Sequence, residues 1–158
     1  MKVVANTTPL ISLASIGKLE LLKDIFGEII IADAVYNEIK AKRGYGYNEI
    51  DTAFIRVQSI KGIAYRDFLL NQLDLGETET IILAKEIDAD FVIIDENIAY
   101  KIAKSSELNV VRTLSILLRA KEKGFVPALK PLLDEMIIKG RWYSQRVYKT
   151  ILEQAGEI

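Results

Sequence analysis

The sequence predicts a three-layer α/β/α domain with a central parallel sheet. Two observations lead there. Short runs that are apolar throughout, such as "EIIIA" (28–32) and "DFVIID" (90–95), read as strands buried on both faces. Most of these runs are followed by a stretch with helical periodicity, so parallel strands joined by helical crossovers are expected. The length of 158 residues, half of them hydrophobic, suits one domain with a sizeable core.

The first strand is expected at 2–5, with Thr7 or Thr8 capping the helix that follows and Pro9 in its first turn, where a missing N–H costs nothing. "LISLASIGK" and "LELLKDIFG" read as two short helices broken at Gly17. After the strand at 28–32, Asp33 is expected to cap a helix over 34–43. "GYGYNEI" reads as a loop, leading through a short helix ending at Phe54 to a strand at 56–60. "AYRDFLLNQLD" is helical, and another helix starts at Gly76–Glu77. The strand at 90–95 precedes the helix "ENIAYKIAKSSE", and "NVVRT" (109–113) is a last short strand before "LSILLRAKEKG". "PALKPLLDEMIIKG" and "SQRVYKTILEQAG" follow no strand. The expected organisation is therefore a domain over 1–126 and a helical extension over 127–158 packed on it.

Composition restricts the chemistry. With no cysteine there are no disulfides, thiolate metal sites or cysteine nucleophiles. With no histidine there is no Ser-His-Asp triad and no imidazole-bound zinc. Catalysis would have to use carboxylates, hydroxyls, Lys, Arg and Tyr, with or without an oxygen-ligated metal. The 21 basic and 22 acidic residues nearly cancel, so net charge points to no partner. No apolar run reaches membrane-spanning length and no signal-peptide pattern opens the chain, so the reading is of a cytoplasmic protein without a membrane partner. Neither G-x-G-x-x-G nor G-x-x-x-x-G-K-[ST] occurs, which argues against a nucleotide-binding domain.

In an open parallel sheet, ligands bind beyond the carboxyl ends of the strands. The residues expected there are Asn6 and Thr7 after the first strand, and Asp33 and Glu38 in the helix after the second. Glu77 and Glu79 open a later helix; Asp95, Glu96 and Asn97 follow the fourth strand, and Thr113 follows the last. Each has a plainer role. Asp33, Asp95 and Thr113 suit helix starts, acids in a first turn are favoured by the helix dipole, and Glu38 suits a solvated face. Their gathering at one edge is the functional signal.

The stretches "VVANTTPLISLASIGKLELLKDIFGEIIIADAVYNEI", "LDLGETETIILAKEIDADFVIIDE" and "TLSILLRAKEKG", in this order and spacing, resemble the PIN-domain nucleases. The resemblance is nearest to a prokaryotic branch assigned to nucleic-acid binding, and the wider family includes the VapC-type toxin ribonucleases. It implies RNA cleavage with Mg²⁺ or Mn²⁺ held by acids. Carried over, the first acid falls on Asn6, the next hydroxyl on Thr7, the second acid on Glu38, the third on Glu79 with Glu77 as alternative, and the fourth on Asp95. The catalytic set so implied is Asn6, Thr7, Glu38, Glu79 and Asp95, joined by Thr113 from its place after the last strand, and the metal set is Asn6, Glu38, Glu77, Glu79 and Asp95. This chain departs from the pattern with an amide at position 6 and with Ile93 where the family often has Thr. The resemblance also implies a small antitoxin partner and a homodimer.

Grouped carboxylates explain why a cation belongs there. At about 4–5 Å and an effective dielectric near 20, each pair repels by roughly 3–4 kcal/mol. Mg²⁺ relieves this with one or two carboxylates, several waters and substrate phosphates. Asn6 offers an oxygen without charge, so weaker metal affinity is expected than with an acid. Alternatively, the fold binds nucleic acid or a partner without cutting it. "KGRWYSQR" (139–146) mixes basic and aromatic residues, a pattern suited to phosphates and bases, although Trp142 would equally suit the core.

Overall fold

The computed structural model describes all residues, 1–158. Five strands form one sheet in the order β3-β2-β1-β4-β5, every pair parallel: β1 (Val3–Ala5), β2 (Ile29–Ala32), β3 (Ile55–Gln58), β4 (Phe91–Ile93) and β5 (Val110–Val111). Nine helices surround it: α1 (Thr7–Ser15), α2 (Leu21–Phe26), α3 (Asp33–Lys40), α4 (Ile63–Leu69), α5 (Leu75–Glu86), α6 (Asn97–Ser105), α7 (Thr113–Glu122), α8 (Lys130–Ile138) and α9 (Gln145–Gln154).

Alternation along the strands separates two cores, because successive side chains point to opposite faces. Val3, Ala5, Ile29, Ile31 and Ile93 join a cluster of 24 buried residues with α1, α2, α3 and α7. Val4, Ile30, Ala32, Val92 and Ile94 join a cluster of 14 with α4, α5 and α6. The domain is thus three-layered, as predicted. The crossover from β1 to β2, through α1 and α2, and the crossover from β4 to β5, through α6, run in opposite directions along the sheet and cover opposite faces, which the handedness of parallel crossovers requires. β1 lies at the centre, in register with β4 (Val3 with Phe91, Ala5 with Ile93) and with β2 (Val4 with Ile30).

Several local expectations are corrected. Asn6, not Thr7 or Thr8, is the N-cap residue of α1, and its side chain makes no capping bond. Asp33 is the first residue of α3 rather than its cap, because the carboxylate of Glu79 accepts from Ala34 N instead. The helix ends at Lys40, whose Nζ bonds Tyr47 O (2.7 Å) and Asp51 Oδ2 (2.8 Å) and so ties down the next loop. That loop runs in turns to β3, without the short helix expected before Phe54. α5 starts at Leu75, one residue earlier than expected, behind Asp74. Asp74 Oδ1 accepts from Glu77 N (2.7 Å), and Glu77 Oε1 accepts from Asp74 N (3.0 Å). This reciprocal capping box satisfies two otherwise orphaned donors.

α8 and α9 contribute Leu133, Met136, Ile151 and Leu152 to the larger core, beside Leu13 and Leu117. A buried Leu→Ala change costs about 2–5 kcal/mol. Leu133→Ala should therefore destabilise as much as Leu13→Ala, within a single urea transition. A separate early transition in the Leu133 variant would show that the last two helices unfold on their own.

Candidate active site

β1 and β4 are neighbours whose onward connections leave on opposite faces, so a crevice opens beyond their carboxyl ends. Asn6 stands in it. Its N–H donates to Ile93 O (3.0 Å), extending the ladder by one bond, and this holds the side chain in place at 3 % exposure. With its backbone extended and its amide not used in capping, Asn6 Oδ1 is left to accept only a long bond from Thr80 Oγ1 (3.4 Å). Thr7 follows, buried at the start of α1, and its hydroxyl has no hydrogen-bond partner.

Two helices close on these groups. The apolar positions Val35 and Ile39 bury one side of α3 and leave Glu38, one residue before Ile39, on a side that faces α5. Gly76 lies in the first turn of α5. A methyl group on Gly76 would sit 3.2 Å from Glu38 Oε2, 3.3 Å from Thr7 Oγ1 and 3.5 Å from Asn6 Oδ1. A carboxylate, a hydroxyl and an amide oxygen therefore surround one small space that only the missing side chain leaves open.

The charges here repel each other. Partial burial raises the Glu38 pKa above the ordinary carboxylate range, and Asp74 raises it further; the Thr7 hydroxyl opposes this without forming a well-directed hydrogen bond. Burial also raises the Glu77 pKa. The Asp74 backbone N–H lowers it, and the negative charges of Asp74, Glu96 and Glu38 raise it again. Glu96, at the start of α6, accepts from Thr8 Oγ1 (3.1 Å) and so joins the ends of β1 and β4.

Glu79 and Asp95 face other partners. Glu79 accepts from Ala34 N (3.1 Å) and stands 3.8 Å from the Arg66 guanidinium. Asp95 accepts from Thr113 N (2.8 Å) and from Thr113 Oγ1 (2.7 Å), and lies 3.6 Å from Arg141 Nη2. The Asp95 carbonyl accepts from Arg112 Nη1 (2.9 Å). Both carboxylates are buried and hold the first turn of a distant helix. An apolar cavity of about 400 Å³, lined by Ile25, Phe26, Phe91 and Ile116 among others, contains no acid and takes no part in this chemistry.

A family model for the PIN domain matches residues 2–157. The chain belongs to the PIN-domain family. No curated protein and no solved structure matches it. PIN domains in general have a nuclease-type function and use divalent metal ions. The residues of this PIN domain fit such an ion through oxygen donors alone. Asn6, Thr7 and Glu38 converge on one space, the Thr7 hydroxyl lacks a partner, and Glu77 lies within reach of Glu38's charge. No three carboxylates stand close enough to form a ready-made cage. That suits a hard cation that keeps most of its ligands as water and phosphate.

Of the positions read from sequence, Asn6, Thr7 and Glu38 surround the Gly76 space; Glu77 caps α5 with Asp74 and feels the Glu38 charge, while Glu79, Asp95 and Thr113 are tied into the starts of α3 and α7. Sequence reasoning left out Asp74, Gly76 and Thr80. The Asp-x-x-Glu spacing at 74–77 is a capping-box pattern and marked the first of these. Nothing local marks Thr80, which depends on packing across the sheet. The raised Glu38 pKa has a measurable sign. Its contribution to stability is complete below the unfolded-state pKa and is lost as pH rises through the higher folded value. In chelator, Glu38→Gln should therefore melt above the wild type at pH 7, and the gap should shrink as pH falls toward about 4. A pH-independent gap would show that Glu38 is not under charge strain.

Proposed function

We propose that this PIN-domain protein is an endoribonuclease that hydrolyses RNA phosphodiesters with Mg²⁺ or Mn²⁺ held by Asn6, Glu38 and Glu77. The observation that carries this reading is the convergence of three oxygens on Gly76 beside carboxylates whose mutual repulsion a cation would relieve. When bound, the cation supplies a positive charge for the phosphate and an acidified water. The chain's own groups do the rest. Glu38 and Glu77 provide the charge, Asn6 and Thr7 fix the geometry from the rigid end of β1, and Gly76 keeps the space for the cation open. Glu79 and Asp95 act through position, anchoring α3 and α7, and Thr113 holds Asp95.

The resemblance to VapC-type toxins extends the proposal to one half of a toxin–antitoxin pair, with a small antitoxin and a homodimer. Exposed apolar side chains on and beside α4, Tyr65, Phe68 and Leu70 among them, support a protein contact. No helix is long and apolar enough to cross a membrane. A second reading, a PIN fold that binds RNA without cutting it, is favoured by the amide at position 6 and by the close engagement of Asp95 with Thr113.

Melting with and without Mn²⁺ separates the two readings. A cation at 100 times its Kd stabilises by about 2.7 kcal/mol. The wild type should show such a rise and cut RNA. Gly76→Ala should lose both while its stability in chelator changes by no more than ~1 kcal/mol, because the added methyl fills the site. Asn6→Asp should be less stable in chelator, gain more from Mn²⁺ and cut faster. If the metal leaves the melting of every variant unchanged and no RNA is cut, the binding reading stands.

A further inference from the structure

Beside the candidate active site lies a second cleft of about 580 Å³, lined by Asp95 and by Glu96, whose charge bears on Glu77, and extending to the loop between α8 and α9. Its outer wall is Trp142, the chain's one tryptophan, which is 76 % exposed. An indole so open to water gains little from the fold, and the cleft beside it mixes charged and polar groups with Leu114 and Val147. Arg112 is fixed at the cleft floor by bonds to Asp95 O and Asn97 Oδ1 (3.0 Å) and by stacking on Tyr100, with its centre 4.1 Å from that ring. Arg141 is held more loosely, with its centre 4.9 Å from the Tyr143 ring. Its Nη2 is 3.6 Å from Asp95 Oδ2, beyond hydrogen-bond distance, and its buried Nε has no partner. The Tyr143 hydroxyl is also buried and unpartnered, and burial pushes its pKa up to about 12, so it stays protonated as a donor.

We propose that this cleft is a binding subsite for single-stranded RNA, in which Trp142 stacks on a base and Arg141 meets the adjacent phosphate. An exposed aromatic face next to a guanidinium with donors to spare is the combination by which proteins hold single strands with little sequence preference. Duplex RNA does not fit, because its bases are stacked on each other and offer no face to an indole. Glu96 lines this cleft and its charge also bears on Glu77, so a strand held here would lie beside the acids of the candidate site. This inference rests on RNA being the polymer handled at the site, but not on its being cut.

The single tryptophan makes the test direct. The full chain is titrated in chelator with an eight-nucleotide oligo(U), and intrinsic fluorescence is read. Quenching is expected, because the indole itself would carry the base. By anisotropy of a labelled oligo(U), Trp142→Ala should bind about 5- to 100-fold more weakly, and Trp142→Phe should recover most of the loss. Arg141→Gln should reduce the slope of log K against log salt by about 0.7. A duplex of the same length should compete poorly. Binding without quenching, or binding unaffected by Trp142→Ala, would overturn the subsite while leaving the ribonuclease reading to its own Mn²⁺ and cleavage tests. Absence of binding by the wild type would overturn the subsite as well. Self-association that is lost in Trp142→Ala, with RNA binding unchanged, would assign the indole to a protein contact instead.

Discussion

Buried carboxylates that hold remote helix starts organise this domain. Glu79, from α5, accepts the Ala34 N–H at the head of α3, and Asp95, after β4, accepts the Thr113 N–H at the head of α7. Helix N-termini carry unpaired donors and a partial positive charge, so each carboxylate gains both a bond and a favourable field. The result is directional. α3 is held against α5, which brings Glu38 over Gly76, and α7 is held against the β4 edge. Together with the Thr8–Glu96 bond between the ends of β1 and β4, these bonds set orientation, which apolar packing alone sets less well than distance.

The same constraint explains how much was legible in the sequence. The strands "EIIIA" and "DFVIID" and the helices after them announced the layered parallel sheet, because burial on both faces leaves an unbroken apolar run. Helix boundaries were less legible where a distant residue does the capping. Asp33 has the chemistry of a cap, yet Glu79 serves its helix from 45 residues further on. Glu77 and Glu79 show the same limit within the site. Both are acids in the first turns of α5, and only tertiary packing turns one toward Glu38's charge and the other toward Ala34 and Arg66. Gly76 was invisible for a further reason: its contribution is space, and a missing side chain carries no pattern.

The amide at position 6 has a physical setting. Four acids, Glu38, Asp74, Glu77 and Glu96, already bear on one another electrostatically around the crevice. A fifth charge at the end of β1, buried at 3 % exposure, would add repulsion where solvent screens least. An amide keeps the oxygen and avoids that burden. On the proposed function, the amide would trade cation affinity for stability of the metal-free fold, a balance that shifts with the metal concentration around it.

The position of β1 has a consequence for how the protein is made. The first strand of the chain is the central strand of the sheet, and its partners on the β4 side lie 88 residues away, Val3 with Phe91 and Ala5 with Ile93. Pairing so distant in sequence is slow to form, because a long loop must close before any contact rewards it. On the ribosome, β1 and β2 can meet early, but the other side of β1 stays open until β4 has emerged. Asn6, whose backbone bond goes to Ile93, is fixed only then. The crevice is therefore absent until β4 has emerged and paired with β1, and whatever activity it carries begins only then.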